Sequence, residues 1–197
     1  MVMMSAGFRF KSFLSSLLII LALSLLCGCG PAVKVSLAPD FKRALDQDVM
    51  YVVPFINTLV PENFSSPVFN NFIDDLNRNR LKTDVKWFYI VKEDISNPKP
   101  DWLTKQAYIT GEVWSYIEES GCCSTDLRVN ARVRLYEPDR KEPTVEVYVP
   151  MDSFFEHDRS NLELERERLA KRLAGEMAGQ IIRLLEKRPA PSPDISR

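Results

Sequence analysis

Between Leu127 and Leu135 every second residue is apolar. Leu127, Val129, Ala131, Val133 and Leu135 alternate with Arg128, Asn130, Arg132 and Arg134. Successive side chains on a strand point to opposite faces, so this pattern requires a sheet with one buried and one polar face. Something apolar must then cover the buried side.

The flanking segments supply both more sheet and the cover. Val49 to Phe55 is a continuous apolar run with Pro54 near its end, which reads as a buried strand. Asn57 to Pro67 reads as a loop. A helix follows, with Ser65 or Ser66 as cap, Pro67 in its first turn, and an apolar stripe of Val68, Phe69, Phe72, Ile73 and Leu76. Val85 to Val91 is a second strand, and Asp101 to Lys105 has room for one helical turn. Ala107 to Ile117 is a third strand. Strict alternation places Ile109, Val113 and Ile117 on one face, and Tyr108, Thr110, Glu112, Trp114 and Tyr116 on the other. Leu127 to Leu135 is the fourth strand and Thr144 to Val149 the fifth. The last element is a helix from Asn161 to Lys187, with Ser160 and Glu163 spaced as a capping box. Its stripe is Leu162, Leu169, Leu173, Met177, Ile181, Leu184 and Leu185.

One apolar face per strand and two amphipathic helices give an α+β fold, a two-layer α/β sandwich. The expected sheet is mixed, of about five strands, with two helices on one face and the order β-α-β-β-β-β-α. The polar sheet face then carries Trp114, Tyr116, Arg128, Arg132, Arg134 and Tyr148, together with Glu112 and Glu146. Aromatic and Arg residues together are the composition of a protein-binding surface, and the same arginines can pair with the glutamates across the sheet.

The N-terminus carries an address. A basic head (Arg9, Lys11) and an apolar run from Phe13 to Leu26 lead into Leu26-Cys27-Gly28-Cys29. A small residue directly before a cysteine, with Leu three positions ahead, looks like a bacterial lipobox. Cys29 is then the lipidation site and the first mature residue. The alternative is an uncleaved anchor or ordinary cleaved signal, but an apolar core of about 15 residues is short against the roughly 20 of a spanning helix. Bulky Leu26 makes Cys27 a poor lipid site. Gly30, rather than Asp, at the second mature position implies the outer membrane by the enteric sorting convention. The expected organisation is a lipoprotein signal peptide (1–28), a lipidated N-terminus and short tether (29–48), a periplasmic domain (49–188) and a Pro- and Ser-rich disordered tail (189–197). Extended, the 19 residues from Gly30 to Asp48 reach about 60 Å.

Charge excludes a partner class. Without Arg9 and Lys11 the chain has 24 basic and 27 acidic residues, net −3. A nucleic-acid binder would show a basic excess.

Cysteine usage is sparse. Of four cysteines, Cys122 and Cys123 fall within the folded part, adjacent in Ser120-Gly121-Cys122-Cys123-Ser124. They read as two small residues near a tight turn or as a candidate vicinal disulfide, a strained eight-membered ring. His157 is the sole histidine, beside Asp152, Glu156 and Asp158, without metal-ligand spacing. There is no Gly-x-Ser-x-Gly elbow and no Gly-rich phosphate loop. The sequence therefore offers no catalytic residue, metal site or cofactor, and a non-enzymatic protein is expected.

Three short motifs carry a family resemblance. Val52-Val53-Pro54-Phe55-Ile56-Asn57 is similar to the V-x-P-F-x-N first strand of envelope lipoproteins of the CsgG/LpoB/PelC-like group, which serve curli secretion, penicillin-binding-protein activation and exopolysaccharide export. Ile109-Thr110-Gly111-Glu112-Val113 and Val133-Arg134-Leu135-Tyr136 resemble two further strands of that group. Glu137-Pro138-Asp139-Arg140-Lys141 replaces its usual Asp-x-x-Thr-Gly turn, and no membrane-hairpin insertion is present. The resemblance implies an accessory or assembly subunit of an envelope secretion, polymer-export or cell-wall machine. Its partners would be the membrane, through the lipid, other envelope proteins, and further copies of itself. The alternative is a small-ligand or glycan-binding periplasmic lipoprotein that uses the aromatic face.

Overall fold

The computed structural model describes residues 32–41, 48–57, 59–92 and 100–186. The signal sequence, Cys29 and the expected tail lie outside these residues. Among the described residues seven strands form one mixed sheet: β1 (Lys34–Leu37), β2 (Val49–Val52), β3 (Ile56–Asn57), β4 (Trp87–Ile90), β5 (Tyr108–Ser120), β6 (Ser124–Tyr136) and β7 (Val145–Glu156). The helices are α1 (Glu62–Asn79), the single turn α2 (Asp101–Thr104) and α3 (Leu162–Leu185), with a 3-10 turn at Arg80–Lys82. The spatial order is β1-β7-β6-β5-β2-β4, with β3 also paired to β5. β5, β6 and β7 form an antiparallel meander, while β2 runs parallel to β4 and β5. Among the described residues no helix is long and apolar enough to cross a membrane.

The expected two-layer α+β sandwich is the observed fold. The alternating face of β6 is buried throughout, from Leu127 to Leu135, beneath α1 and α3. Phe64, Val68, Phe72 and Leu76 of α1 and Leu169, Leu173, Met177 and Ile181 of α3 are buried in the same cluster. The short helix α2 belongs to a smaller cluster, in which Leu103 packs with Val53, Val91, Tyr108 and Tyr136. The Tyr108 and Tyr136 rings stack at 4.7 Å, and burial with Tyr136 alongside pushes the Tyr108 hydroxyl up to about 12.

Five local expectations are corrected. Part of the expected tether is a strand: β1 pairs antiparallel with β7, Lys34 opposite Tyr148 and Leu37 opposite Val145. With the two-residue β3, this raises about five strands to seven. Helix α1 begins at Glu62 after Pro61, so neither Ser65 nor Ser66 is its cap, and Pro67 lies inside it. Phe64 is fully buried and packs on Tyr116 at 4.7 Å. Burying such a side chain contributes about 1.5–3 kcal/mol, comparable with the roughly 3 kcal/mol cost of an interior proline. β7 continues through Pro150 to Glu156. Pro150 lies beyond the four residues covered by β1, where a missing N–H leaves no strand partner wanting. The cap of α3 is Asn161, whose Oδ1 accepts from the Leu164 amide at 2.9 Å, rather than the Ser160–Glu163 box.

Ser160 instead donates to Glu165 at 2.7 Å, and Arg168 approaches the same carboxylate at 2.7 Å. The edge strand β4 is guarded by α1. Asn77 donates to the Phe88 carbonyl at 3.3 Å and accepts from the Phe88 amide at 3.4 Å, acting as a one-residue strand partner.

The Phe55 ring occupies the space above Gly111 of β5 and meets Phe69 and Phe72 of α1 at 5.3 and 5.1 Å. A Cβ at position 111 would overlap that ring. Gly111→Ala should lower the unfolding free energy by about 1–3 kcal/mol in urea titration. Combined with Phe55→Ala it should be clearly non-additive, because the clash disappears with the ring. A second expectation concerns Glu165. The hydrogen bond from Ser160, aided by Arg168, holds its carboxyl below the ordinary Glu value against the effect of burial. A depressed folded value stabilises above the unfolded value and loses that contribution as pH falls through the folded one. The stability gap between wild type and Glu165→Gln should therefore be present at neutral pH and close on acidification below the Glu range.

Candidate functional site

The polar face of β6 is the centre of the outer sheet surface. Arg132 lies opposite Glu112 of β5 and Tyr148 of β7, and Arg134 opposite Thr110 and Glu146. Arg132 contacts Glu112 at 2.6 Å, and Arg134 contacts Glu146 at 2.6 Å and Glu112 at 3.9 Å. Burial works against the Arg134 charge, but the hydrogen bond and charge of Glu146 outweigh it and hold the guanidinium above its ordinary value. Cross-strand pairing of these arginines is thus observed.

Trp114 sits where the β5–β6 register shifts: Val113 faces Ala131 and Ser115 faces Asn130, so Trp114 is the extra residue of a β-bulge. Its ring stacks on Tyr148 at 5.2 Å, and the Arg132 guanidinium lies 5.2 Å from its centroid. Tyr148 donates to Asn130 Oδ1 at 2.7 Å, and the Lys34 ammonium lies 5.9 Å from its ring. Arg132, Trp114, Tyr148 and Lys34 therefore form a continuous strip of alternating cations and aromatic rings across four strands.

The bulge also separates residues that strict alternation placed together. Beyond it the faces of β5 exchange: Tyr116 lies opposite buried Val129, and Ile117 opposite Arg128. Tyr116 is therefore on the helix side, packed on Phe64. Its hydroxyl accepts from Arg166 and donates to Glu118, each at 3.1 Å. Burial raises the Tyr116 hydroxyl, partly opposed by Arg166. Ile117, expected inside, is 43% exposed. Arg128 is on the outer face but is taken up by Asp126 and Glu119 towards the hairpin tip. Of the six expected surface residues, the structure groups Trp114, Arg132, Arg134 and Tyr148, sets Arg128 apart and removes Tyr116.

The sequence reading missed a second aromatic cluster. Tyr51 meets Tyr89 at 6.1 Å and Trp102 at 5.5 Å, edge to face. With Val91 and Lys92 they line a cavity of about 170 Å³. Trp87 and Tyr89 are each 56% exposed while Phe88 between them is buried. Alternation within Trp87-Phe88-Tyr89 carried that signal, but the placement of α2 beside it had none. Another cavity, of about 190 Å³, lies between α1 and α3, lined by Asn63, Pro67, Glu163, Arg166 and Glu167.

At the tip of the β5–β6 hairpin, Cys122 and Cys123 are exposed free thiols with sulfurs 3.2 Å apart. His157 Nε2 is 2.8 Å from Thr125 Oγ1, which is 2.9 Å from Ser120 Oγ. The imidazole thus braces the base of the hairpin turn. Among the described residues no group of three His, Cys, Asp or Glu side chains is placed to hold a metal ion.

An aromatic pair adds about 0.5–1.5 kcal/mol beyond its area burial. A double-mutant cycle of Trp114→Ala and Tyr148→Ala should return a coupling of that order in urea titration. Both single variants should keep the native circular dichroism spectrum, since neither side chain belongs to the buried core.

No protein-family model matches the chain, and no curated protein matches it. Solved structures with a similar backbone arrangement include the PelC dodecamer from Paraburkholderia phytofirmans, at 13% identity over 74% of this chain and 97% of that one, with a TM-score of 0.48. Lipoprotein GNA1162 from Neisseria meningitidis is 15% identical over 68% of this chain and 99% of its own, with a TM-score of 0.43. Protein XCC0632 from Xanthomonas campestris is 7% identical over 78% and 93%, with a TM-score of 0.47.

Proposed function

We propose that the protein is a non-enzymatic accessory lipoprotein of the bacterial envelope. Lipid on Cys29 anchors it at the periplasmic face of the outer membrane. The strip of Arg132, Trp114, Tyr148 and Lys34, with Arg134 beside it, binds another envelope protein or a second copy of the chain, within a secretion, polymer-export or cell-wall machine. The composition of the strip carries this reading. It lies along the sheet between paired carboxylates. A sheet face rich in aromatic and Arg groups has the make-up of a protein-binding surface.

The docking of β1 sharpens the anchoring. Five peptide steps separate Cys29 from Lys34, a reach of about 17 Å when extended. The domain is then held close to its lipid, far short of the span expected for a free 29–48 tether.

A second reading follows from the Tyr51–Tyr89–Trp102 cleft, whose aromatic walls suit a sugar ring or another small ligand. The two readings separate by mutation. Under the first, Trp114→Ala or Arg132→Glu abolishes oligomers or co-purified envelope proteins seen by native mass measurement in detergent, and Trp102→Ala does not. Under the second, Trp102→Ala alone removes ligand binding. Cys29→Ala should shift the protein out of the membrane fraction. A strict monomer that captures nothing and is unaltered by Trp114→Ala would overturn the first reading.

A further inference from the structure

Cys122 and Cys123 stand at the exposed tip of the longest hairpin, on the wall of an open cavity of about 590 Å³ that also includes Phe154, Glu156 and His157. Their sulfurs are in contact at 3.2 Å. The turn that carries them is tied down on both sides. The Gly121 amide donates to the Ser124 carbonyl at 2.8 Å, and the His157 amide donates to the Cys123 carbonyl at 2.9 Å. A pair of accessible thiols in contact, held over an open cavity, is a dithiol arranged for exchange. A soft metal would find only these two ligands, since no third metal-binding side chain joins them among the described residues.

We infer that the Cys122–Cys123 tip is a thiol–disulfide exchange site that accepts a disulfide from a small disulfide donor and closes on itself. Cys122 thiolate attacks one sulfur of the donor R–S–S–R′. The donor bond breaks, R′S⁻ leaves and takes up a proton, and Cys122 holds a mixed disulfide with R. Cys123 loses its proton and attacks the Cys122 sulfur, and RS⁻ leaves with that proton. Two protein thiols are oxidised to one disulfide, and one donor disulfide is reduced to two thiols. The contact at 3.2 Å places the second sulfur beside the first, within reach of the mixed disulfide as soon as it forms.

Adjacency makes the product labile. Neighbouring Cα atoms are about 3.8 Å apart across a trans peptide, below the usual range of about 4.4–6.8 Å for a disulfide. Strained, exposed disulfides are oxidising and readily reopened. Closing the ring reorients the peptide between the two cysteines and changes the Cys123 backbone angles, and through them the Cys123 carbonyl that accepts from the His157 amide. Oxidation thus reaches the end of β7 and reshapes one cavity wall. The chemistry stands apart from the envelope reading, and only the oxidising compartment that supplies the donor in the cell depends on it.

The test is titration of the purified full chain with mixtures of oxidised and reduced glutathione, followed by alkylation and mass spectrometry. The tryptic segment from Gln106 to Arg128 contains both cysteines and neither Cys27 nor Cys29. In wild type it should lose both thiols to an internal disulfide without accumulating a glutathione adduct, and regain them at glutathione ratios that leave ordinary structural disulfides closed. Cys122→Ser and Cys123→Ser should each retain the glutathione adduct, because the resolving sulfur is gone. The His157 amide resonance should shift on oxidation of wild type and not of either variant. A persistent wild-type adduct, a disulfide between chains, or unreacted thiols in fully oxidised glutathione would each overturn the inference.

Discussion

The Phe55 ring above Gly111 joins three elements that are distant in sequence. Phe55 ends the segment after β2, Gly111 lies near the start of β5, and Phe69 and Phe72 come from α1. The contact lets the segment after β2 lie close against β5 without a side chain between, and it seats α1 over the junction. β2 holds β4 on its other side, and β5 leads the meander that continues through β6 to β7. Both the parallel and the antiparallel halves of the sheet therefore depend on one residue having no side chain. Two of the motifs that resemble the envelope-lipoprotein group, Val52 to Asn57 and Ile109 to Val113, meet at this point. A single ring filling a single gap ties the two together.

The bulge at Trp114 then divides β5 into two functional lengths. Before it, the outward residues are Thr110 and Glu112, which face the arginines of β6. After it, the outward residues are Ile117 and Glu119, and the inward ones are Tyr116 and Glu118. Those inward polar groups would be costly beneath a helix layer without partners. Arg166 of α3 supplies them, reaching Glu118 at 2.6 Å and Tyr116 at 3.1 Å. One extra residue thus frees Trp114 to stack on Tyr148 and brings the start of α3 into register with the far end of the hairpin.

Where a pattern spans a whole element, the sequence was easy to read. The nine-residue alternation in β6 and the long stripe of α3 gave the correct faces, and the two-layer fold follows from them. Phe69 and Phe72 were legible as one stripe for the same reason. The errors share a cause: a distant contact outweighed a local signal. Pro67 marked a helix start, but Phe64 found a buried place on Tyr116 and drew the start back to Glu62. Pro150 marked a strand end, but the uncovered edge of β7 had no need of its N–H. A bulge leaves no mark in a hydrophobicity pattern except a broken alternation, and Trp114, Ser115 and Tyr116 are all tolerable on either face, so the inversion was hidden. Strand β1 lacks a strong apolar pattern and is exposed along its length; it exists because β7 offers it backbone partners. Pairing of that kind is invisible until the partner strand is placed.

The arrangement of edges and faces narrows where a partner can bind. The helix layer closes the inner face of the sheet. One edge, β4, has its Phe88 backbone groups taken by Asn77. The other, β1, is only four residues long and begins with Lys34, which blunts strand addition. Extension of the sheet by another chain is thus discouraged at these two strands, while the Pro150–Glu156 length of β7 keeps an uncovered edge. On the outer face α2 covers only the Tyr108–Tyr136 end, and among the described residues no helix lies over the rest. Its charges are neutralised locally by Glu112 and Glu146, so covering it does not strand the Arg132 and Arg134 guanidinium groups without partners. Its aromatic groups are already held in place by one another and by Arg132, so less side-chain freedom is lost on contact. A surface that is internally paired and held in place loses little on being buried, and the Trp114, Arg132 and Tyr148 part of the outer face meets both conditions.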